Sequence, residues 1–273
     1  MLLNQNLTVN FHFAPFCNMK CKYCFVEKTD TYSLEEYFQV IEKLAKFFSR
    51  INFVGGEPTT SPYLIPLVRK AKSVGLECSM VTNGFELIHH ENKYQELFTL
   101  LSCIGISIDS LDEKTNNKIG RKCGYHIISR SEYENLCKTI KAHGIKLKIN
   151  TVVSKLNLDE NFSKFYKSIN PDRIKLFQVL KPNNHLKQNY DDLLISQEEF
   201  TKFIQKHSAN VQIVVENNDA MTNAYYILNS ECQFLDNKTG IKSPSIVNNS
   251  LSIEEALSYI GFDYKKYSAR YCA

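Results

Sequence analysis

The sequence lacks the long apolar runs that a membrane-spanning helix requires, because no run reaches ~18 residues. It shows neither a signal peptide nor an amphipathic anchor, since its polar first residues lead directly into a predicted strand. The formal charge of +4 is too small to indicate a nucleic-acid-binding surface. We therefore expect a globular protein of the cytoplasm that binds neither membranes nor nucleic acids.

Cysteine is abundant by contrast, with nine residues in a chain expected to occupy a reducing compartment. Such a chain uses cysteines for metal sites more often than for disulfides. Cys17, Cys21 and Cys24 form a C-x3-C-x2-C triplet, in which three thiolates can close around one metal centre. The other six form no second close-spaced set, and we interpret them as buried or idle thiols: Cys78, Cys103, Cys123, Cys137, Cys232 and Cys272.

A three-cysteine triplet leaves one iron of a cubane [4Fe–4S] cluster free for another ligand. Together with Tyr23 just before the last cysteine, it resembles the signature of the radical S-adenosylmethionine (SAM) enzymes. In that family the open iron binds SAM, and an electron from the cluster yields a 5′-deoxyadenosyl radical. The alternatives are three unrelated cysteines or a structural zinc site, in which His12 could complete a Cys3His set.

The run F-V-G-G-E-P at 53–58 supports the cluster interpretation. Gly55 and Gly56 allow the backbone to approach a ligand closely, Glu57 offers a carboxylate, and Pro58 fixes the turn. In radical SAM enzymes a G-G-E-P turn after the second strand contacts the methionine amino group. The two motifs together favour a radical SAM site over a zinc site.

Hydrophobic periodicity predicts strands and helices in alternation. The predicted strands are 7–13, 51–54, 76–81, 103–108, 145–153 and 173–179, and the predicted helices are 33–48, 61–74, 91–100, 131–143 and 159–169. Residues 117–122 are predicted to form a loop. Six such repeats call for parallel strands and right-handed crossovers. We therefore predict an α/β fold, and the resemblance implies the partial (β/α)6 barrel of radical SAM enzymes.

A predicted polar linker at 182–192 divides the chain into two predicted domains. Residues 1–181 form the partial barrel, and residues 182–273 form an α+β extension. The extension contains a helix at 196–207, a strand at 211–215, a segment around Tyr225 and Tyr226, and a helix at 253–260. We expect it to close the open side of the barrel and to complete the substrate pocket.

One face of several predicted strands is polar. Because strand side chains alternate, these pairs each share a face: Asn10 and His12, Arg50 and Asn52, Lys148 and Asn150, Arg173 and Lys175. If the faces point into the barrel, unpaired buried charges would be costly, and a polyanionic substrate such as a phosphate ester would neutralise them. The alternative, that these faces are solvated, conflicts with the helices expected outside the barrel.

Longer runs carry a narrower resemblance across nearly the whole chain. They are V-N-F-H-F at 9–13, C-N-M-K-C-K-Y-C-F at 17–25, I-N-F-V-G-G-E-P at 51–58, I-G-R at 119–121, K-I-N at 148–150, N-P-D-R-I-K-L-F-Q at 170–178, V-E-N-N at 215–218, Y-Y-I-L at 225–228 and G-F-D at 261–263. The sequence resembles the viperin family of radical SAM enzymes, which convert a nucleoside triphosphate into its 3′-deoxy-3′,4′-didehydro form as an antiviral chain terminator.

This resemblance implies a reaction and its partners. The adenosyl radical removes the ribose C4′ hydrogen, the 3′-hydroxyl leaves as water, and a flavodoxin- or ferredoxin-type donor supplies electrons. CTP is the favoured substrate, while UTP and GTP stay open. The alternatives are another radical SAM enzyme that acts on a phosphorylated small molecule or a peptide, and a non-catalytic Fe–S or zinc module.

The resemblance also implies roles for single residues. Asn10 contacts the nucleotide, and Arg121, Lys148 and Lys175 hold its triphosphate. With the polar faces, the expected substrate set is Asn10, His12, Arg50, Arg121, Lys148, Asn150, Arg173 and Lys175. The expected cofactor set is Tyr23, Gly55, Gly56, Glu57, Asn83 and Ser107, of which Asn83 and Ser107 contact SAM. Tyr225 is the candidate catalytic donor of a hydrogen atom or proton near the ribose.

Two positions and two terminal segments depart from the family pattern. Arg50 stands where the family carries a lysine, so the charge is kept but its geometry changes. Val54 replaces the serine that precedes G-G-E-P in animal members. The N-terminal membrane helix and tryptophan-ended tail of the eukaryotic members are not seen here, and we therefore expect a prokaryotic member.

Overall fold

Eight parallel strands form one curled sheet in this computed structural model, which describes residues 7–27, 29–180, 190–207, 213–247 and 251–271. The strands are β1 (Thr8–Ala14), β2 (Arg50–Gly55), β3 (Glu77–Thr82), β4 (Cys103–Ser107), β5 (Lys146–Val153), β6 (Arg173–Gln178), β7 (Ile213–Glu216) and β8 (Tyr226–Leu228). Their order is β7-β6-β5-β4-β3-β2-β1-β8. The prediction of a partial α/β barrel is confirmed.

Helices connect the strands. They are α1 (Leu34–Ala45), α2 (Leu64–Ser73), α3 (Phe85–His89), α4 (Glu91–Tyr94), α5 (Leu97–Leu100), α6 (Glu113–Ile119), α7 (Arg130–Ala142), α8 (Ser163–Ile169), α9 (Gln197–His207), α10 (Asn218–Met221), α11 (Ile253–Leu257) and α12 (Tyr264–Tyr271). A 3-10 turn spans Pro58–Thr60. None of the helices in the described ranges is long and apolar enough to span a membrane.

The outer face of the sheet is apolar and packs against helices. Val9, Phe11, Ile51 and Phe53 are fully buried. The ring of Phe11 meets that of Tyr37 on α1 edge-on, with centroids 5.4 Å apart. Alternating strand positions therefore carry their polar side chains to the opposite, inner face.

Two connections differ from the expected pattern. Residues 117–122 were expected to be a loop, yet α6 runs to Ile119 and a loop begins only at Gly120. Asp112 caps this helix by accepting a hydrogen bond from Thr115 N at 2.7 Å, and Gly120 ends it in the left-handed conformation. The helix expected at 91–100 is two short helices, α4 and α5, which Gln95 and Glu96 separate.

The C-terminal region adds a strand at each edge of the sheet. β7 pairs with β6, and β8 pairs with β1. The sequence predicted β7 as a strand at 211–215, of which residues 211 and 212 lie outside the described residues, whereas β8 was recognised only as a tyrosine segment. Most of the expected linker at 182–192 and Cys272 also lie outside the described residues.

Candidate active site

The three motif cysteines share the loop that follows β1. Cys17 and Cys24 are exposed, Cys21 is half-buried, and all three are free thiols. The loop is ordered by its own backbone, because Cys24 N donates to Cys21 O at 3.1 Å and Met19 N donates to Cys17 Sγ at 3.4 Å. Three accessible thiols on one short loop fit a cluster that three cysteines hold.

The glycine turn after β2 packs directly on this cysteine loop. Gly56 N donates to Ala14 O at 2.5 Å, and Glu57 N donates to Phe16 O at 2.8 Å. A Cβ atom at Gly56 would lie 2.3 Å from the carbonyl oxygen of Phe16, so only glycine fits there. The two predicted motifs are therefore neighbours in space.

The Glu57 carboxylate joins the loops after β2 and β3. Its Oε1 accepts from Thr59 N, Thr59 Oγ1 and Thr82 Oγ1 at 3.1, 2.6 and 2.6 Å, and its Oε2 accepts from Asn83 N at 2.7 Å. Burial raises the pKa of Glu57, although these hydrogen bonds oppose the shift. The sequence did not predict this role, which holds Asn83 in position beside the cysteine loop.

Asn83, which was expected to contact SAM, lies against that loop. Its Nδ2 donates to Asn18 Oδ1 at 2.7 Å and lies 3.9 Å from Cys17 Sγ. Its Oδ1 accepts from Phe85 N at 2.9 Å. The side chain is therefore fixed at both ends.

The end of α6 holds the cysteine loop from another side. Lys20 N donates to Gly120 O at 3.2 Å, and Lys22 N donates to Ile119 O at 2.9 Å. Gly120 has φ 88°, and a Cβ atom there would lie 2.2 Å from Lys20 O. This short helix, which the sequence did not reveal, therefore supports the candidate cluster site.

Arg121, Asp109 and Tyr23 form a buried group close to Cys21. Tyr23 Oη donates to Asp109 Oδ2 at 2.5 Å, Arg121 forms an ion pair with the same oxygen, and Arg121 Nη1 donates to Ser107 O at 3.2 Å. Arg121 was expected to hold phosphate, and here its guanidinium is engaged by Asp109. Asp109 was not singled out from the sequence, although it follows β4 in the run S-I-D.

On the inner face, amide side chains form a chain of hydrogen bonds across adjacent strands. Asn52 Nδ2 donates to Asn10 Oδ1 at 2.8 Å, and Ser79 Oγ donates to Asn52 Oδ1 at 3.0 Å. Asn10 Nδ2 donates in turn to the backbone oxygen of Tyr226 on β8 at 3.4 Å. Asn10 is therefore fixed in orientation, and β8 takes part in fixing it.

Three predicted cations lie in register on β5 and β6. Lys148 is opposite Arg173, and Asn150 is opposite Lys175. Burial lowers the pKa of Lys148, and it lowers that of Lys175 to about 8. The Oδ1 atom of Asn150 is buried and has no hydrogen-bond partner within the described part of the chain. Positive charge and an unsatisfied polar atom thus share the inner face.

Gly105 on β4 makes room for one of these cations. It is in register with Lys148, and a Cβ atom at Gly105 would lie 2.6 Å from Lys148 Cε. The lysine side chain therefore extends over the place where β4 has no side chain. Sequence reasoning did not identify Gly105.

Two further residues of the expected substrate set have distinct environments. Burial lowers the pKa of His12 to about 4, so its imidazole is neutral at pH 7 and adds no charge. Arg50 begins β2 and is half-buried, one same-face position before Asn52. Arg50 therefore adds a fourth cation to the strand faces, at the start of its strand.

Glu216 connects Lys175 to the C-terminal helix. Lys175 Nζ donates to Glu216 Oε1 at 2.9 Å, and Arg270 Nε donates to the same oxygen at 2.6 Å. Burial acts to raise the pKa of Glu216, but the two cations hold it below its usual range. Arg270 Cζ also lies 4.3 Å from the ring centroid of Tyr225. Lys175 is therefore linked through Glu216 to Arg270, which lies against the ring of the expected catalytic tyrosine. Neither Glu216 nor Arg270 was predicted.

Comparison with known proteins agrees with this geometry. The sequence model of the radical SAM superfamily matches residues 11–169. An S-adenosylmethionine-dependent nucleotide dehydratase of Flammeovirga pacifica is 35% identical, with 96% of this chain and 93% of that protein covered. A protein of the same description from Lacinutrix mariniflava is 35% identical over 96% of this chain, which spans 57% of that longer protein. The RSAD2 dehydratase of Danio rerio is 33% identical, with 96% and 76% covered.

Solved structures show the same fold at low sequence identity. SAM-bound anSMEcpe with the Kp18Cys peptide superposes with a TM-score of 0.70 at 16% identity, covering 96% of this chain and 82% of that one. Streptococcus suis SuiB bound to SAM gives a TM-score of 0.69 at 16% identity, covering 96% and 67%. The match to the superfamily model and the curated relatives confirms the family resemblance seen in the sequence, and with it the [4Fe–4S] cluster and SAM as cofactors.

Proposed function

Because this chain belongs to the radical SAM superfamily and, within it, to the SAM-dependent nucleotide dehydratases, we propose that it removes water from the ribose of a nucleoside triphosphate. The observation that carries this proposal is the cationic inner face of the barrel. Lys148, Arg173 and Lys175 are adjacent on β5 and β6, and a triphosphate is the ligand that such a set would neutralise.

The cofactors fit the residues at the ends of the first strands. Cys17, Cys21 and Cys24 would hold the [4Fe–4S] cluster, with SAM bound beside it. Bound there, the pair would supply the radical chemistry needed at the ribose C4′–H bond. Asn83 and the glycine turn after β2 lie beside the cysteine loop, where they would orient SAM.

The side chains of the protein would position the ribose. Lys148 and Lys175 would hold the phosphates, and the fixed amide of Asn10 would orient the nucleoside, so that C4′ lies close to the radical carbon. Tyr225 would then donate a hydrogen atom or proton near the ribose as the 3′-hydroxyl leaves as water. The Arg270 guanidinium over its ring would hold this tyrosine in place.

Three further features complete the proposal. CTP is our favoured substrate, with UTP and GTP as the alternatives. A flavodoxin- or ferredoxin-type protein of the cytoplasm would supply the electrons. Residues 182–273 would act as an extension that closes the barrel. The pairing of β8 with β1 and the position of Arg270 support that closing role.

The test is an anaerobic assay of the reconstituted enzyme with dithionite, SAM and each nucleoside triphosphate separately. We expect 5′-deoxyadenosine and, from one preferred nucleotide, a product lighter by one water, both measured by mass spectrometry. Lys148→Met should remove most of the product, whereas Lys202→Met, on the exposed side of α9, should retain it. Equal 5′-deoxyadenosine formation with and without every nucleotide would refute the nucleotide assignment and favour another phosphorylated substrate or a peptide.

A further inference from the structure

Two histidines and a glutamate converge outside the site described above. His89 ends α3, His126 lies in the loop between α6 and α7, and Glu132 lies in the first turn of α7. Their ligand atoms all lie within 4.8 Å of one another. Glu132 Oε1 is 3.0 Å from His126 Nε2 and 3.7 Å from His89 Nε2. One carboxylate oxygen therefore faces both imidazoles.

The orientation of this carboxylate is set by the helix cap. Glu132 Oε2 accepts hydrogen bonds from Ser129 N and Ser129 Oγ, both at 2.7 Å, in the capping box that begins α7. Oε2 is thus engaged with the backbone and hydroxyl of Ser129, and Oε1 is left pointing at the histidines. Hydrogen bonds of this kind orient the carboxylate ligands of metal sites.

The imidazoles are also held in place. The ring of Phe85 lies 4.4 Å from that of His89 and 5.6 Å from that of His126, centroid to centroid. The two imidazoles are nearly perpendicular, at 85°, with centroids 4.6 Å apart. Because these rings are packed together, little ordering would be needed on binding an ion.

We propose that His89, His126 and Glu132 bind one Zn²⁺ ion, with a fourth position left for water. Two imidazoles and a carboxylate are a known donor set for zinc, and bonds of ~2.0–2.1 Å place tetrahedral ligand atoms about 3.4 Å apart. The distances from Glu132 Oε1 to His126 Nε2 and to His89 Nε2, 3.0 and 3.7 Å, lie on either side of that value. The three side chains are partly exposed, so the ion can reach them from solvent.

Zinc at this position would join two segments that support the candidate active site. Helix α3 begins directly after Asn83 and Gly84, and the loop that carries His126 begins at Gly120, which contacts the cysteine loop. The ion would therefore restrain the loop after β3 against the loop after α6. Binding to the folded state alone would also raise the melting temperature.

The experiment measures zinc in protein purified without a polyhistidine tag and with the [4Fe–4S] cluster reconstituted. After dialysis against Zn²⁺ and then a weak chelator, elemental analysis should find one zinc per chain. The Cys17→Ala/Cys21→Ala/Cys24→Ala variant should retain the same zinc, which separates this site from zinc held by the cysteines. Calorimetry measures the zinc affinity of the same protein.

Matched variants locate the ion. His126→Gln and Glu132→Gln should weaken zinc binding at least ~10-fold, and glutamine at position 132 can preserve the capping box. His90→Gln removes a neighbouring imidazole outside the cluster and should change nothing. Failure to retain zinc, or equal retention in H126Q and E132Q, would overturn the proposal and leave an ordinary histidine–carboxylate hydrogen bond.

Discussion

Arg270 reaches from the C-terminal helix to Glu216 at the end of β7, where Arg270 Nε donates to Glu216 Oε1 at 2.6 Å. Arg270 Nη1 also donates to the backbone oxygen of Ala224 at 3.0 Å, next to Tyr225. Glu216 in turn accepts from Lys175 Nζ. A single residue of α12 thus connects the edge of the sheet, the candidate phosphate site and the candidate catalytic tyrosine.

Replacing Arg270 with methionine should therefore lower both stability and activity. The variant leaves the buried carboxylate of Glu216 with one cation fewer and removes the guanidinium from the face of Tyr225. Breaking a buried ion pair by removing one partner costs ~3 kcal/mol or more. Urea denaturation would measure the loss in the free energy of unfolding, and Arg270→Lys should restore part of it.

The control for Arg270 is Arg69, whose ion pair with Glu96 lies on the surface. Arg69→Met should change the free energy of unfolding by less than ~1 kcal/mol, as exposed pairs do. Equal losses in the two variants would contradict the role given to the buried pair.

Nucleotide affinity should decline as the pH rises through the pKa of Lys175. Burial lowers that pKa to about 8, so the free enzyme carries the ammonium below this pH and loses it above. An anionic phosphate binds the protonated form, and the dissociation constant should therefore rise by up to ~10-fold per pH unit above about 8. Calorimetry with the nucleotide in the absence of SAM would measure this dependence.

Lys175→Arg supplies the comparison for that measurement, because a guanidinium keeps its proton throughout this range. The part of the pH dependence that begins near pH 8 should disappear in this variant. An unchanged profile would assign the titration to another group, such as Lys148, whose pKa burial also lowers.

The six strands from β1 to β6 and the site motifs could be predicted because each has a local signal. Strands such as 145–153 alternate apolar and polar residues, and both the cysteine triplet and G-G-E-P are short runs with fixed spacing. Parallel strands bring their following loops to one edge of a sheet. The spatial meeting of the two motifs followed from these facts alone.

The missed residues act through contacts distant in sequence. Glu216 meets Arg270 across 54 positions, and Tyr23 meets Asp109 across 86. No local pattern marks such pairs. Gly105 was missed for a related reason, because its importance lies in the space that Lys148 occupies on the next strand. Helix α6 is a different case. Its sequence does contain a capping residue, Asp112, and a terminating glycine, Gly120, but the segment is too polar for hydrophobic periodicity to reveal a helix.

Glu57→Gln should destabilise the region where the loops after β2 and β3 meet. The groups that are hydrogen-bonded to the Glu57 carboxylate are all donors. The NH2 group of a glutamine side chain would therefore point at one of these donors and leave it without an acceptor. A buried donor left unsatisfied costs about 1–3 kcal/mol. We expect that loss in the free energy of unfolding, together with weaker SAM binding, because Asn83 loses its anchor. Glu36→Gln, in the exposed capping box of α1, should change stability little.

Gly105→Ala should weaken nucleotide binding by displacing Lys148, with little effect on folding. The added methyl would lie 2.6 Å from Lys148 Cε, the flexible end of a side chain that can move aside. If the effect passes through the lysine, it should vanish in a background that lacks the lysine. A double-mutant cycle with Lys148→Ala would measure this, with nucleotide affinity read by calorimetry. Additive losses in the double variant would show instead that the methyl disturbs β4 itself, and Gly105 would then have no part in placing the phosphate-binding cation.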